Sequence, residues 1–146
     1  MKLATDASAL VAEALRARGE ELISHDDLEL YVAEPTWSEV VHEVGYRIDA
    51  WIRHGRAAIG RREEILRGTL AMLARNVTVV GASAYSQYEA EAQDRIPRDP
   101  NDWPTVALGL ALGIGIWTGD DDFFGCGVPV WTTQTLLTHL TAGRAS

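Results

Sequence analysis

Cysteine, lysine and long apolar runs are all scarce in this sequence, and each scarcity closes off a class of readings. Cys126 is the sole cysteine, so neither an internal disulfide nor a cysteine metal site can form. No apolar stretch approaches the ~20 residues needed to cross a bilayer. The N-terminus reaches Asp6 without any apolar signal region, which leads us to expect a cytoplasmic protein. His25, His42, His54 and His139 are scattered and match no metal-ligand spacing. Gly109, Gly113 and Gly115 follow or interrupt a helical stretch where a phosphate loop would have to open one. Ser38 and Ser83 have no base and orienting acid in evidence for nucleophilic catalysis. With Lys2 as the sole lysine, a receiver-like phosphate switch, which sets a lysine opposite its acceptor aspartate, is disfavoured as well.

What is present suits one soluble globular domain spanning residues 1–146. Hydrophobic residues make up 47% and charged residues 23%, an ordinary balance for a chain long enough to bury a core. The net charge of −8 argues against holding nucleic acid by broad electrostatics. The average conceals an asymmetry. Arg47, Arg53, Arg56, Arg61, Arg62, Arg67 and Arg75 face only Asp49, Glu63 and Glu64 within their stretch, a local charge of +4 that leaves about −12 elsewhere. Such a basic arm suits phosphates or an acidic partner, and equally suits a solvated helix surface.

Short apolar segments alternate with helical ones, which predicts an α/β fold with a parallel sheet layered by helices. Leu3 to Thr5 reads as a short first strand. Ala7, Leu10, Val11, Ala14 and Leu15 share a helical face that ends near Gly19. Leu28 to Ala33 reads as a second strand stopped by Pro35, and Trp37, Val40, Val41, Val44, Ile48, Trp51 and Ile52 mark a long amphipathic helix. A break between Gly55 and Gly60 precedes a helix over 61–75, and Val77 to Val80 is a third strand. Ser83 is placed to cap a helix carrying Tyr85, Tyr88 and Ala92 inward. After a proline-containing loop, Asp102 opens an apolar helix ended by Gly113. Ile114–Thr118 and Val128–Trp131 are the last strands, and Thr132 or Thr133 caps a terminal helix. The five tryptophans, Trp37, Trp51, Trp103, Trp117 and Trp131, lie on apolar stripes or strands and read as core, with base stacking an alternative for Trp103 beside Asp102.

The acids carry the chemistry. Asp6 follows the first strand, Glu39 lies in the first turn of the helix after the second, Asp102 sits at a helix start, and Asp120 and Asp122 follow the fourth strand. In a parallel sheet the carboxyl ends of the strands share one edge, where open α/β folds place ligands. Two unit negative charges ~4 Å apart repel by roughly 4 kcal/mol at an effective dielectric of 20, so a convergence of carboxylates must take up protons or a cation. Oxygen-only ligands suit Mg²⁺ or Mn²⁺, and a carboxylate-bound metal pair activates water and offsets phosphate charge without a nucleophilic side chain. Each acid also has a plainer use: Asp6 and Asp102 suit helix caps, Asp120 to Asp122 suit a polar turn, and Glu39 and Glu43 point away from the apolar stripe towards solvent.

These residues resemble a known family. Asp6-Ala7-Ser8 before Leu10-Val11 is similar to the opening Asp-x-Ser/Asn motif of PIN domains. Thr36-Trp37-Ser38-Glu39-Val40 resembles their glutamate-bearing second motif. Arg98-Asp99-Pro100-Asn101-Asp102-Trp103-Pro104 resembles the third, and Thr118-Gly119-Asp120-Asp121-Asp122-Phe123 the fourth. Order and spacing agree along essentially the whole chain.

The resemblance implies a three-layer α/β/α fold around a mainly parallel sheet of about five strands. It implies a metal-dependent endoribonuclease cleaving single-stranded RNA, with Asp6, Glu39, Asp102 and Asp120 as the acidic quartet holding Mg²⁺ or Mn²⁺. Asp122 would be an accessory ligand or an orienting group, with Ser8 and Thr118 as polar contacts beside the metals. His42-Glu43-Val44 also resembles the second motif, which leaves Glu43 as the alternative to Glu39, and Asp99 is the alternative to Asp102. Family resemblance further implies a homodimer and, if the chain is the toxin of a toxin–antitoxin pair, a small antitoxin partner. A reading from another class is a non-catalytic domain of the same fold that binds a protein.

Overall fold

In the computed structural model, which describes residues 1–145, five short strands alternate with seven helices. The order is β1 (Lys2–Thr5), α1 (Ala7–Ala14), α2 (Ala17–Ile23), β2 (Glu29–Ala33), α3 (Glu34–Arg53), α4 (Arg62–Asn76), β3 (Val77–Val80), α5 (Glu89–Arg95), α6 (Trp103–Leu112), β4 (Gly115–Trp117), β5 (Val130–Trp131) and α7 (Thr133–Ala145). The strands form one sheet in the order β3-β2-β1-β4-β5, and every pairing is parallel. The central strand has Leu3 beside Leu30 on one flank and Gly115 on the other.

Period-two alternation divides the core into two layers. Leu3, Leu30, Val32 and Trp117 belong to one buried cluster, which α1, α3, α4 and α7 cover with Leu10, Val40, Val44, Ile48, Leu73 and Leu136. Ala4, Ala33 and Ile116, the alternate strand residues, belong to the other, covered by Tyr85, Ala92, Ile96, Val106 and Leu108. This is the expected three-layer α/β/α arrangement. Among the described residues no helix is long and apolar enough to cross a membrane.

Local chemistry explains most boundaries. Pro35 lies in the first turn of α3, where its missing N–H would have had no partner, so it begins the helix as well as ending the strand. Val40, Val44 and Ile48 recur at helical spacing and are fully buried. Gly113 takes the left-handed conformation, φ 65°, that closes α6.

The last two strands are shorter than expected, Gly115–Trp117 and Val130–Trp131, and two helix boundaries depart from the sequence expectation. The first helical stretch breaks after Ala14 and resumes as α2, with Gly19 inside the second piece. A Cβ on Gly19 would overlap the backbone carbonyl of Glu13, so this glycine permits two helices to touch and does not end one. Ser83 caps no helix; it lies in a single 3₁₀ turn without a side-chain cap, and α5 begins at Glu89.

Candidate active site

From β1 the chain lays β2 and β3 to one side, then crosses over to lay β4 and β5 on the other. The order therefore reverses at β1, and a crevice opens beyond the carboxyl ends of β1 and β4, where doubly wound sheets bind ligands. Asp6 follows β1 directly, and Thr118, Gly119 and Asp120 follow β4.

Asp6 is held from several sides. As N-cap of α1 it accepts the Ala9 N–H at 3.3 Å. The Ser8 hydroxyl lies 3.0 and 2.9 Å from its two oxygens, and the Thr118 hydroxyl donates to Oδ2 at 2.8 Å. The β4 loop is tied into the same network. Gly119 N–H donates to Ser8 Oγ at 3.2 Å, Asp120 N–H to Thr118 Oγ1 at 2.9 Å, and Asp122 N–H to Asp120 Oδ1 at 2.9 Å. Burial pushes the Asp6 carboxyl above the usual range, and the nearby Asp120 pushes the same way, against the pull of the hydroxyls and of Ala9 N–H.

Asp102 closes the 3₁₀ turn Pro100–Asp102 and stands at the N-cap position of α6, yet its side chain caps nothing. The plainer use offered by the sequence is thus absent for Asp102 and present for Asp6. Burial first, then the charges of Asp99, Asp120, Asp6 and Glu39, push the Asp102 carboxyl up to about 7.

Glu39 reaches the same place from α3. The helix begins at Glu34, earlier than expected, so the glutamate falls in its second turn and not its first, on the exposed face. Asp6, Glu39, Asp102 and Asp120 all line one cavity of about 180 Å³, and Asp99 lines it with them. Asp99 and Asp102, alternatives in the sequence, are neighbours here. Glu43 and Asp122 do not line the cavity. Glu43 is half-buried one turn further along α3, and the Asp122 carboxylate lies 3.7 Å from Arg98, so the contact of Asp122 with Asp120 is through its backbone N–H.

Ser8, Thr36 and Thr105 complete the polar wall. The two threonines went unassigned in the sequence, although each had a signal: Thr36 is one turn before Glu39 and Thr105 one turn after Asp102, so each shares a helix face with an acid. Trp103 packs against Tyr85, ring centroids 5.8 Å apart, which accounts for its place beside Asp102 without a ligand. A wider hollow of about 370 Å³ between α2 and α7 is lined by Arg18, Glu21, Leu22, His25, Leu137 and Leu140 and gathers no such set of acids.

The basic stretch divides in two. Arg62 bonds Asp49 at 2.6 Å and Glu63 at 2.7 Å, and Arg61 pairs with Glu64 at 3.3 Å, so part of the charge ties α4 to α3 and to itself. The Arg62 hydrogen bond holds the Asp49 carboxyl below its usual range. Arg47, Arg53, Arg56 and Arg67 are exposed and close no ion pair among the described residues.

The donor set fits a hard divalent cation, since the wall of the cavity offers only oxygen. Among the described residues no three His, Cys, Asp or Glu side chains are gathered closely enough to hold a metal ion by themselves. Mg²⁺ does not require three, because it retains several waters and is usually held by one or two carboxylates together with substrate phosphate.

A family model described as PIN domain matches residues 5–141, a span that includes all five acids of the cavity. Among solved structures, the crystal structure of PAE2754 from Pyrobaculum aerophilum is similar, with a TM-score of 0.65 and 22% identity over 97% of this chain and 90% of that one. At that identity the likeness speaks for the fold. No curated protein sequence matches the chain.

Proposed function

The chain belongs to the PIN domain family, whose members are generally nucleases that use divalent metal, and from that premise we propose that it is an endoribonuclease cleaving single-stranded RNA. One observation carries the reading: Asp6, Glu39, Asp102 and Asp120, from four separate elements, line a single cavity at the point where strand order reverses. Those four carboxylates would hold Mg²⁺ or Mn²⁺, with Asp99 at the same wall.

A divalent cation bound there supplies a water activated for attack and a counter-charge for the phosphate. The chain's own residues do the positioning. Ser8, Thr118 and Ala9 N–H fix the orientation of the Asp6 carboxylate. The Asp122 N–H fixes Asp120, while Thr118 joins both acids through one hydroxyl. Such support keeps ligands from having to reorganise when substrate arrives. With its carboxyl at about 7, Asp102 holds a proton part of the time in neutral solution and would have to release it to serve as a ligand.

Purified protein incubated with single-stranded RNA and Mn²⁺ tests the assignment beside the Asp102→Asn variant. Cleavage by the wild type that the variant lacks is the expected result, and equal cleavage by both would overturn it.

A further inference from the structure

Helix α3 carries Glu39 on its exposed face, and the same face continues well past the cavity. At 3.6 residues per turn, positions seven and fourteen residues further on return to within about 20° and 40° of Glu39. Those positions are Tyr46 and Arg53. His42 lies on the same side, with its ring edge-on to Tyr46 at 4.8 Å between centroids. The buried stripe Val40, Val44 and Ile48 occupies the opposite side.

Tyr46 is 57% exposed, and its phenol hydroxyl has no partner among the described residues. A single exposed ring is ordinary on a protein surface; what sets Tyr46 apart is its place on one helix face between the cavity and exposed arginine. At 1.5 Å per residue it lies about 10 Å along the axis from Glu39, with Arg53 about 10 Å beyond. Arg53 on this side and Arg56 just past the helix end are exposed, with Arg53 also acting on Asp49 one turn back. The face thus runs from an acidic cavity to an aromatic ring and on to exposed guanidinium groups. An unpaired base stacks on such a ring, and guanidinium groups track the phosphates beside it.

We infer that the exposed face of α3 from Glu39 through His42 and Tyr46 to Arg53 is the path of a single RNA strand leaving the cavity, with Tyr46 as the platform on which a base stacks. The inference rests on the ribonuclease reading and adds to it a direction and a substrate form. A duplex keeps its bases stacked on one another and offers none to Tyr46, so the path selects unpaired RNA.

Binding is measured by fluorescence anisotropy of a labelled 12-nucleotide single-stranded RNA, in the Asp102→Asn background so that the strand is not consumed. Adding Tyr46→Ala weakens binding about 5- to 150-fold, the range for loss of one stacked base, while Tyr46→Phe stays close to the parent. Arg53→Gln weakens binding and lowers the slope of affinity against salt by roughly one ion. If the wild type cleaves RNA but Ala and Tyr at position 46 bind alike, the path is overturned and the nuclease reading stands. If the wild type neither cleaves nor binds RNA, both fall. Sedimentation supplies the other exclusion: a wild-type dimer that Tyr46→Ala dissociates would assign this face to a second copy of the chain, overturning the path.

Discussion

The Thr118 hydroxyl donates to Asp6 Oδ2 at 2.8 Å while accepting the Asp120 N–H at 2.9 Å. One buried side chain therefore joins the end of β1 to the loop after β4, across 112 residues of sequence. Replacing it with valine keeps the shape and removes both bonds. The expected cost is about 1–3 kcal/mol, since an acceptor and a donor lose their partner in a buried setting. Thr118→Ser should retain most of it. Urea unfolding checks this through a lowered midpoint with unchanged slope.

Asp102 predicts a pH dependence with a definite sign. Its carboxyl sits at about 7 in the folded protein against an ordinary 3.8, so between those values the folded state binds more protons than the unfolded one. Its contribution to stability is full below 3.8 and lost as pH rises through about 7. In EDTA, the wild type should lose melting temperature relative to Asp102→Asn between pH 5 and pH 8. Discounted for solvent screening, the variant's advantage at pH 8 is on the order of 1–2 kcal/mol, a few degrees for a chain of this size. Adding Mn²⁺ at pH 8 should reverse the ranking, since only the wild type gains from the cation.

Two glycines in helices should respond in opposite ways to alanine. At Gly19 the new methyl would meet the backbone carbonyl of Glu13, and forcing α1 and α2 apart costs about 1–3 kcal/mol. At Gly68 in α4 a Cβ has nothing within 4 Å, so Gly68→Ala should add about 0.5–1 kcal/mol through the unfolded chain and helix propensity. Thermal melts of the two variants settle both signs.

The glutamates separate in the same manner. Glu39 lines the cavity and Glu43 does not. Calorimetric titration with Mn²⁺ should show Glu39→Gln weakening binding by roughly 10- to 100-fold, the scale seen when a site's supporting groups are removed, and Glu43→Gln changing it by less than about 3-fold, as befits a surface group outside the site. Asp99→Asn should fall between them, as a carboxylate at the same wall.

Legibility in the sequence followed locality. The alternation of strand and helix was readable because Val77 to Val80 and the Val40, Val44, Ile48 stripe state their periods within a few residues, and Gly113 marks an end by its own backbone. Gly19 misled because it serves a contact with Glu13 on another helix, which composition does not show. Placing Asp6 and Asp120 at one sheet edge needed only the rule that parallel strands share a direction. Asp99 and Asp102, weighed against each other in the sequence, both reach the cavity because a single 3₁₀ turn joins them. Thr36 and Thr105 were hidden in plain helical spacing. Asp122 drew notice as a carboxylate, while its contact with Asp120 is through a backbone N–H that no sequence pattern singles out.

The strand order has a consequence for how the protein comes into being. Because β1 lies between β2 and β4, the first acid made during synthesis, Asp6, waits beside an open flank of the sheet until the chain has grown past Asp120. No fragment lacking the last quarter can close the cavity, so binding of a cation there would report completion of folding. A cation that recognised only the closed form would draw the chain towards it, by about 2.7 kcal/mol at a hundred times its dissociation constant, and the finished protein would then be held together in part by the ion.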